Sequence, residues 1–159
     1  MIYINIREYI LNEGYELVRQ ELIASRDLSI LVLGRDGEKG TFIDQLAKDH
    51  HRREEAAAIT RIAVRLVERG TTWALDCRVL KQLNTQIKDP AIYELKIMRT
   101  RYRVMTYLHD DQLQTPVLLF DFLGHRGMSR GGIRKATLQK GIQLARIACR
   151  LMNEEEEAR

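Results

Sequence analysis

The sequence has few cysteines and no long apolar run, and each absence excludes a class of protein. Cys77 and Cys149 are the only cysteines, and they stand in no CxxC or Cys/His spacing, so neither a disulfide framework nor a zinc site is indicated. No apolar stretch approaches the roughly 20 residues of a membrane span, and the N-terminus shows no secretory signal. We therefore expect a cytoplasmic protein without a membrane partner, and 159 residues suffice for one domain.

Charge is unevenly distributed along the chain. The formal net charge is +4, but in residues 94–150 eleven basic side chains stand against four acidic ones. The basic residues are Lys96, Arg99, Arg101, Arg103, Arg126, Arg130, Arg134, Lys135, Lys140, Arg146 and Arg150, and the acidic ones are Glu94, Asp110, Asp111 and Asp121. This imbalance is typical of nucleic-acid contact, and the alternative is a set of ordinary solvated charges.

Hydrophobic spacing in the first half predicts a helix, a strand and two further helices. Apolar residues at helical spacing predict an amphipathic helix over 5–24. The apolar, β-branched stretch at 28–34 predicts a strand. Thr41 is placed to cap a short helix, and a longer helix through 57–67 is expected to end at Gly70.

The second half predicts three strands and a helix. Strands are expected at 92–98, 101–108 and 116–124, and their short polar connections favour an antiparallel meander. The four glycines of 124–132 indicate a loop. Apolar residues of 133–151 form the stripe of a C-terminal helix that Gly141 is expected to weaken or kink.

This order of elements predicts an α+β domain. We expect a small antiparallel sheet, made of the first strand and the three-strand meander, with helices packed on one face. We divide the chain into an N-terminal helical extension at 1–27, a main domain at 28–152 and an acidic tail at 153–159.

The hairpin sequence "IYELKIMRTRYRVMTYLH" at 92–109 alternates apolar and polar residues. If Leu95 and Ile97 point into the core, then Lys96 points to the opposite face, and Arg103 has the same parity on the second strand. The alternation predicts one apolar side and one basic side.

Three passages together resemble a known family. The strand, turn and "FIDQL" helix start at 28–46 resemble the opening of the RelE/ParE superfamily of toxins, especially its phage-derived, HigB-type branch. The passage "IYELKIMRTRYRVMTYL" resembles the middle strands of that family. The passage "VLLFDFLGHRG", followed by "IRKATLQKGIQLARI", resembles its last strand, basic loop and closing helix. The resemblance covers about residues 28 to 150.

The resemblance implies the toxin of a type II toxin–antitoxin system. Such a toxin is an endoribonuclease that cuts mRNA, commonly in the ribosomal A site, by attack of the 2′-hydroxyl without a metal or cofactor. The implied partners are mRNA, the ribosome and an antitoxin of the helix-turn-helix type. The alternative is a non-catalytic relative that binds nucleic acid, or a gyrase-directed one, because no tyrosine follows the basic loop as it does in some members.

The resemblance also implies a set of site residues. Lys96, Arg103 and Arg126 match the positions at which such toxins place basic residues around the scissile phosphate, and arginine grips two phosphate oxygens at once. His125 stands where relatives often have lysine, and it is either a general acid or base or a solvated loop histidine. Tyr107 shares the parity of Arg103 and either stacks on a base or packs in the core.

The glycine-rich segment 124–132 is interpreted as a mobile, basic lip over RNA. It lacks the Gly-Lys-Ser/Thr ending of a nucleotide-binding P-loop. Arg130, Arg134 and Lys135 are predicted phosphate contacts that position RNA without reading its sequence. Arg99 is assigned to the hairpin turn and its rim.

Overall fold

Most of the described elements belong to one seven-stranded sheet and the helices that cover it. The computed structural model describes residues 3–6, 15–22, 29–35, 40–84, 89–100, 102–111, 114–123, 128–129 and 132–157. Its helices are α1 (Phe42–Lys48), α2 (Arg53–Arg69), α3 (Thr71–Asp76) and α4 (Lys135–Glu157). Its strands are β1 (Tyr3–Ile6), β2 (Tyr15–Leu22), β3 (Ser29–Arg35), β4 (Leu80–Gln82), β5 (Ile92–Lys96), β6 (Tyr102–Leu108), β7 (Pro116–Leu123), β8 (Met128–Ser129) and β9 (Gly132–Ile133). The predicted α+β class is confirmed.

Seven of these strands form a mixed sheet in the order β1-β2-β3-β7-β6-β5-β4. The antiparallel strands β1 to β3 meet the antiparallel strands β4 to β7 at one parallel junction, where Leu31 faces Val117 and Val32 faces Leu118. The strand at 28–34 and the meander of β5, β6 and β7 are confirmed within a few residues. The expectation of a small, wholly antiparallel sheet is wrong, because the sheet is larger and contains the parallel pair.

The N-terminal region forms strands where a helix is expected. β1 pairs with β2, and β2 pairs with β3 over seven positions. Leu17 is buried opposite Leu33, while the adjacent Glu16 faces the other side of the sheet, as the period of a strand requires. The helix prediction over 5–24 is wrong because the ladder with β3 satisfies the backbone of β2 and overrides its helical spacing. The described strands of 1–27 therefore belong to the main sheet and are not a helical extension.

The helices cover both faces of the sheet. α1, α2 and α3 pack on one face over a core that includes Val32 and Val104, and α4 packs on the other over a core that includes Leu31 and Met105. Four successive apolar residues at 30–33 alternate between the two cores, as in strands buried on both faces. The prediction of helices on one face is wrong for this reason.

The ends of α1 and α2 are set by local hydrogen bonds. Thr41 and Asp44 form a capping box, in which the Thr41 N–H donates to Asp44 Oδ2 at 2.9 Å and the Thr41 side chain accepts from the Asp44 N–H. α2 ends at Gly70, whose φ of 88° lies in the region that glycine tolerates. Both predicted helix boundaries are confirmed.

α4 is a single helix that passes through Gly141 and includes the acidic residues 153–157. Gly141 is buried against Met105, and a Cβ added there would lie 2.8 Å from the Met105 sulfur. The glycine therefore permits close approach of the helix to the sheet. The acidic residues are the last turns of α4 and not a separate tail at 153–159, of which 158 and 159 lie outside the described residues.

Two short segments have structure that the sequence pattern does not reveal. α3 and β4 follow α2 directly. Within the predicted loop 124–132, β8 and β9 pair as a two-stranded ribbon, and the rest of that loop lies outside the described residues.

Among the described helices, none combines the length and the apolar character needed to cross a bilayer.

Candidate functional site

Lys96 and Arg103 face each other directly across β5 and β6. Both share the face of Met105, which α4 covers, so the predicted parity is confirmed. However, Glu94 lies on the same face, and its carboxylate accepts a hydrogen bond from Arg103 Nε at 2.8 Å. The Arg103 guanidinium also donates to the Tyr102 carbonyl at 2.9 Å. The basic face of this hairpin therefore contains a carboxylate that already neutralises Arg103.

Tyr107 is buried, with 4 % of its surface exposed. Its hydroxyl lies 2.8 Å from Nδ1 of His109, and Nε2 of His109 lies 2.7 Å from Oε1 of Glu156 near the end of α4. Burial, together with a hydrogen bond to Cys149, raises the pKa of the Tyr107 phenol. Of the two roles considered for Tyr107, its burial favours packing in the core, because the ring is enclosed between β6 and α4.

The other predicted site residues fall into two groups. His125, Arg126 and Arg130 lie outside the described residues. Arg134 and Lys135 are exposed at the beginning of α4, the helix that covers the face of Lys96 and Arg103.

Three other arginines line a groove of about 360 Å³ between α2 and the β5–β6 turn. We call this surface the arginine groove, and its lining residues are Ala58, Arg61, Ile62, Arg65, Met98 and Arg99. All three arginines are exposed, and no carboxylate in the described part of the chain forms an ion pair with them. Arg61 and Arg65 are one helical turn apart, which places their Cβ atoms about 5–6 Å from each other.

The β5–β6 turn presents Met98 and Arg99 to this groove. The Thr100 N–H and hydroxyl both donate to the Ile97 carbonyl, at 3.2 and 2.8 Å, which closes a turn over the two residues between them. Arg99 has a φ of 65°, a conformation that costs a side-chain-bearing residue about 1 kcal/mol or more. Met98 is 57 % exposed, although it is a large apolar residue. A strained arginine and an exposed methionine therefore lie side by side on this turn.

Outside the lining of the groove, the last residue of α2 contacts an aromatic ring of α3. The guanidinium carbon of Arg69 lies 5.4 Å from the ring centroid of Trp73, and Arg69 is one turn beyond Arg65. Grooves that bind single-stranded nucleic acids commonly combine arginines with aromatic rings.

Arg52 shows how this chain holds a structural arginine. Its Nη2 donates to Glu55 at 2.7 Å and also contacts Asp121 of β7, and its Nε donates to the same Glu55 carboxylate. Burial raises the pKa of the Glu55 carboxyl, while the hydrogen bonds from Arg52 oppose that rise. Arg52 thus joins α2 to the sheet, whereas the groove arginines make no such pair within the described residues.

The sequence pattern did not single out Arg61 and Arg65. Their four-residue spacing on the polar side of α2, away from the buried Ile62 and Leu66, was the available signal. Arg99 does lie in the predicted hairpin turn, and its proximity to α2 is a tertiary feature that no local pattern contains.

The lining of the arginine groove determines what it can do. It offers three fixed positive charges and an apolar floor, and its described lining residues include no histidine, cysteine or carboxylate that could transfer a proton or attack a substrate. This set of groups is suited to holding phosphates rather than to breaking bonds. No family model, curated protein or solved structure matches the chain.

Proposed function

We propose that the chain binds single-stranded RNA through the arginine groove. The observation that carries the proposal is the meeting of Arg61, Arg65 and Arg99, none paired with a described carboxylate, around the exposed Met98. Guanidinium groups are weakly hydrated forks that bind phosphate oxygens in pairs. Three guanidinium groups in one groove attract a polyanion. The fold itself does not need these charges, because they form no ion pair with a described carboxylate.

The dimensions and lining favour a flexible strand over a duplex. A groove of about 360 Å³ has the size of a small-ligand site, so it can accommodate a few splayed nucleotides but not the width of a double helix. Met98 provides an apolar contact for a base. These contacts tolerate any base, so we expect weak sequence preference.

The test is a salt series of RNA binding. Fluorescence anisotropy measures the association constant for a labelled short oligoribonucleotide. The logarithm of this constant should fall linearly with the logarithm of the salt concentration. Substituting Arg61, Arg65 and Arg99 together by glutamine should reduce that slope by about 2, since each neutralised phosphate contributes about 0.7 for a single strand. It should also weaken binding at low salt by roughly a hundredfold or more.

A matched control removes the same charge elsewhere. Lys48, Arg53 and Lys81 are exposed and do not line the groove, so their combined substitution by glutamine changes net charge equally. If this control variant loses as much affinity and slope as the groove variant, attraction comes from net charge alone and the groove assignment is wrong. Circular dichroism melting of both variants verifies that they fold.

A second candidate function is cleavage of RNA at Lys96 and Arg103, which lie on the face of the sheet opposite to the one that α2 covers. It rests on the direct opposition of Lys96 and Arg103 and on the RelE/ParE-type resemblance, which suggests a toxin neutralised by a helix-turn-helix antitoxin. In such cleavage the 2′-oxygen bonds to phosphorus and gives up its proton, while the 5′-oxygen leaves and gains one. Lys96 and Arg103 would stabilise the phosphorane, provided that Arg103 exchanges Glu94 for phosphate.

Cleavage is tested separately from binding. Induced expression should arrest growth, and primer extension on cellular mRNA should reveal new 5′ ends that Lys96→Gln and Arg103→Gln each reduce by on the order of 10²-fold. Full cleavage by both variants would remove these residues from the reaction. If the unaltered protein binds RNA without cleaving it, RNA binding is the function and cleavage is excluded.

A further inference from the structure

A second cavity lies where the sheet changes direction. β3 and β7 are parallel neighbours, and the helix that follows β3 lies on one face of the sheet while the helix that follows β7 lies on the other. The described ladder between these strands consists of the pairs at Leu31 and Val32, so nothing in it joins their carboxyl ends. Parallel strands whose connections leave to opposite faces open a crevice at that edge, and such crevices commonly hold ligands.

The cavity at this edge measures about 310 Å³ and lies between α1 and α4. Its apolar lining includes Leu33 from β3 and Leu119 from β7, which follow the last residues of the parallel ladder. Gln45 of α1 and Gln143 of α4 add amide groups that can donate and accept hydrogen bonds. The lining is therefore mostly apolar with a few polar groups, which is the usual composition of a small-molecule site.

Two cations in this lining stand beside aromatic rings. Lys140 Nζ lies 4.3 Å from the ring centroid of Phe120, and the guanidinium carbon of Arg35 lies 5.9 Å from the ring centroid of Tyr15. All four residues line the cavity. Neither cation forms an ion pair with a carboxylate among the described residues.

Two carboxylates lie near the cavity, and each has contacts of its own. Asp44 accepts from the backbone of Thr41 in the capping box of α1. Glu16 is buried at 6 % exposure behind Gly34, where its Oε1 lies 3.5 Å from the position of an added Cβ. The positive charge of Arg35 and Lys140 therefore remains available to a ligand.

We propose that this cavity binds a small planar anion, namely an aromatic ring that carries one phosphate or carboxylate. The ring packs against Phe120 and over Leu33 and Leu119, and the anionic group lies between Arg35 and Lys140. This site is independent of the arginine groove, with which it shares no lining residue.

The experiment is a titration of the ¹⁵N-labelled full chain followed residue by residue. Phenyl phosphate, adenosine 5′-monophosphate and benzoate are the probes, and the expected result is saturable shifts of the Gly34 and Gly40 amide signals at millimolar probe or below. Lys140→Gln should weaken binding about tenfold, because it removes one charge-assisted contact. Lys48→Gln, an exposed substitution on α1 outside the cavity, should leave the affinity unchanged.

The outcomes separate the ligand sources and the two sites. Tighter binding of adenosine 5′-monophosphate than of benzoate supports a nucleotide ligand, and the reverse supports an aromatic acid. Shifts confined to Arg61, Arg65 and Arg99 would assign the probes to the arginine groove and overturn the cavity site. Equal affinities of Lys140→Gln and Lys48→Gln, or the absence of shifts at Gly34 and Gly40 with all three probes, would overturn it as well.

Discussion

The hydroxyl of Tyr107 lies 2.8 Å from Nδ1 of His109, and this contact connects the core beneath α4 to the end of β6. His109 is itself buried, and its other ring nitrogen contacts Glu156, so the two residues join a strand, a turn and the last turns of α4. A phenol in this position stabilises the fold and is not accessible to RNA. Its ionisation gives a direct measure of that role.

Tyr107→Phe should cost about 1–2 kcal/mol of unfolding free energy at pH 7, because it leaves a buried nitrogen of His109 without its partner. Burial raises the pKa of Tyr107 above the ordinary value near 10, so its contribution is fully present below pH 10 and is lost as pH rises further. The stability difference between the two proteins should therefore shrink above pH 10, by at most about 1.4 kcal/mol per pH unit. Urea unfolding at pH 7, 10 and 11 measures it, and a constant difference would contradict the assignment.

Gly141→Ala should destabilise the protein although alanine is the better helix former. The added methyl group meets the sulfur of the fully buried Met105 at 2.8 Å, and overpacking of this kind costs about 1–3 kcal/mol. The gain in helix propensity returns about 1 kcal/mol, so we expect a net loss of about 1 kcal/mol in thermal or urea unfolding. The double variant with Met105→Ala relieves the clash, and the Gly141→Ala effect should reverse in that background.

The N-terminal strands mark the limit of pattern reasoning about this fold. In 15–22 the apolar residues Leu17, Val18 and Leu22 fit a helical stripe as well as they fit a strand, and only the pairing with β3 decides between them. Thr41 and Gly70 act through their own backbone neighbourhoods, so the ends of α1 and α2 were predictable from sequence. The parallel pairing of β3 with β7 joins residues more than eighty positions apart and has no local signature.

The candidate site was predictable only in part, for a similar reason. Strand parity correctly placed Lys96 and Arg103 on one face of the hairpin. Parity cannot reveal that α4 covers this face, which buries Tyr107 and leaves Glu94 as the partner of Arg103. The arginine groove brings together side chains from 61 to 99, so it depends on how α2 packs against the sheet.

Arg52→Met should destabilise the protein by about 1–3 kcal/mol, because the Glu55 side chain is only 3 % exposed and loses its partner. The cost stays moderate because Arg52 is itself one-third exposed and its charge is partly screened by solvent. Burial raises the pKa of Glu55, and removing Arg52 removes the hydrogen bonds that oppose this rise. In the folded variant the Glu55 carboxyl then binds a proton more tightly than it does in the unfolded chain. The loss of unfolding free energy should therefore be largest near pH 7 and should shrink as pH falls toward 5. Arg53→Met, an exposed neighbour, should change stability by less than about 0.5 kcal/mol.

Two substitutions of Arg99 separate its charge from its backbone conformation. Its φ of 65° is strained for arginine and for alanine but not for glycine. Arg99→Gly should therefore raise the free energy of unfolding by up to about 1 kcal/mol, while Arg99→Ala should leave it nearly unchanged.

Both Arg99 substitutions remove the same positive charge from the arginine groove, so both should weaken RNA binding by about tenfold and reduce the salt slope by about 0.7. Urea unfolding and anisotropy titrations on the two variants supply the measurements. Undiminished RNA binding in both would exclude Arg99 from the interface. Equal loss of binding combined with a stability gain in the glycine variant alone would show that the strained turn is retained for the contact its side chain makes with the ligand.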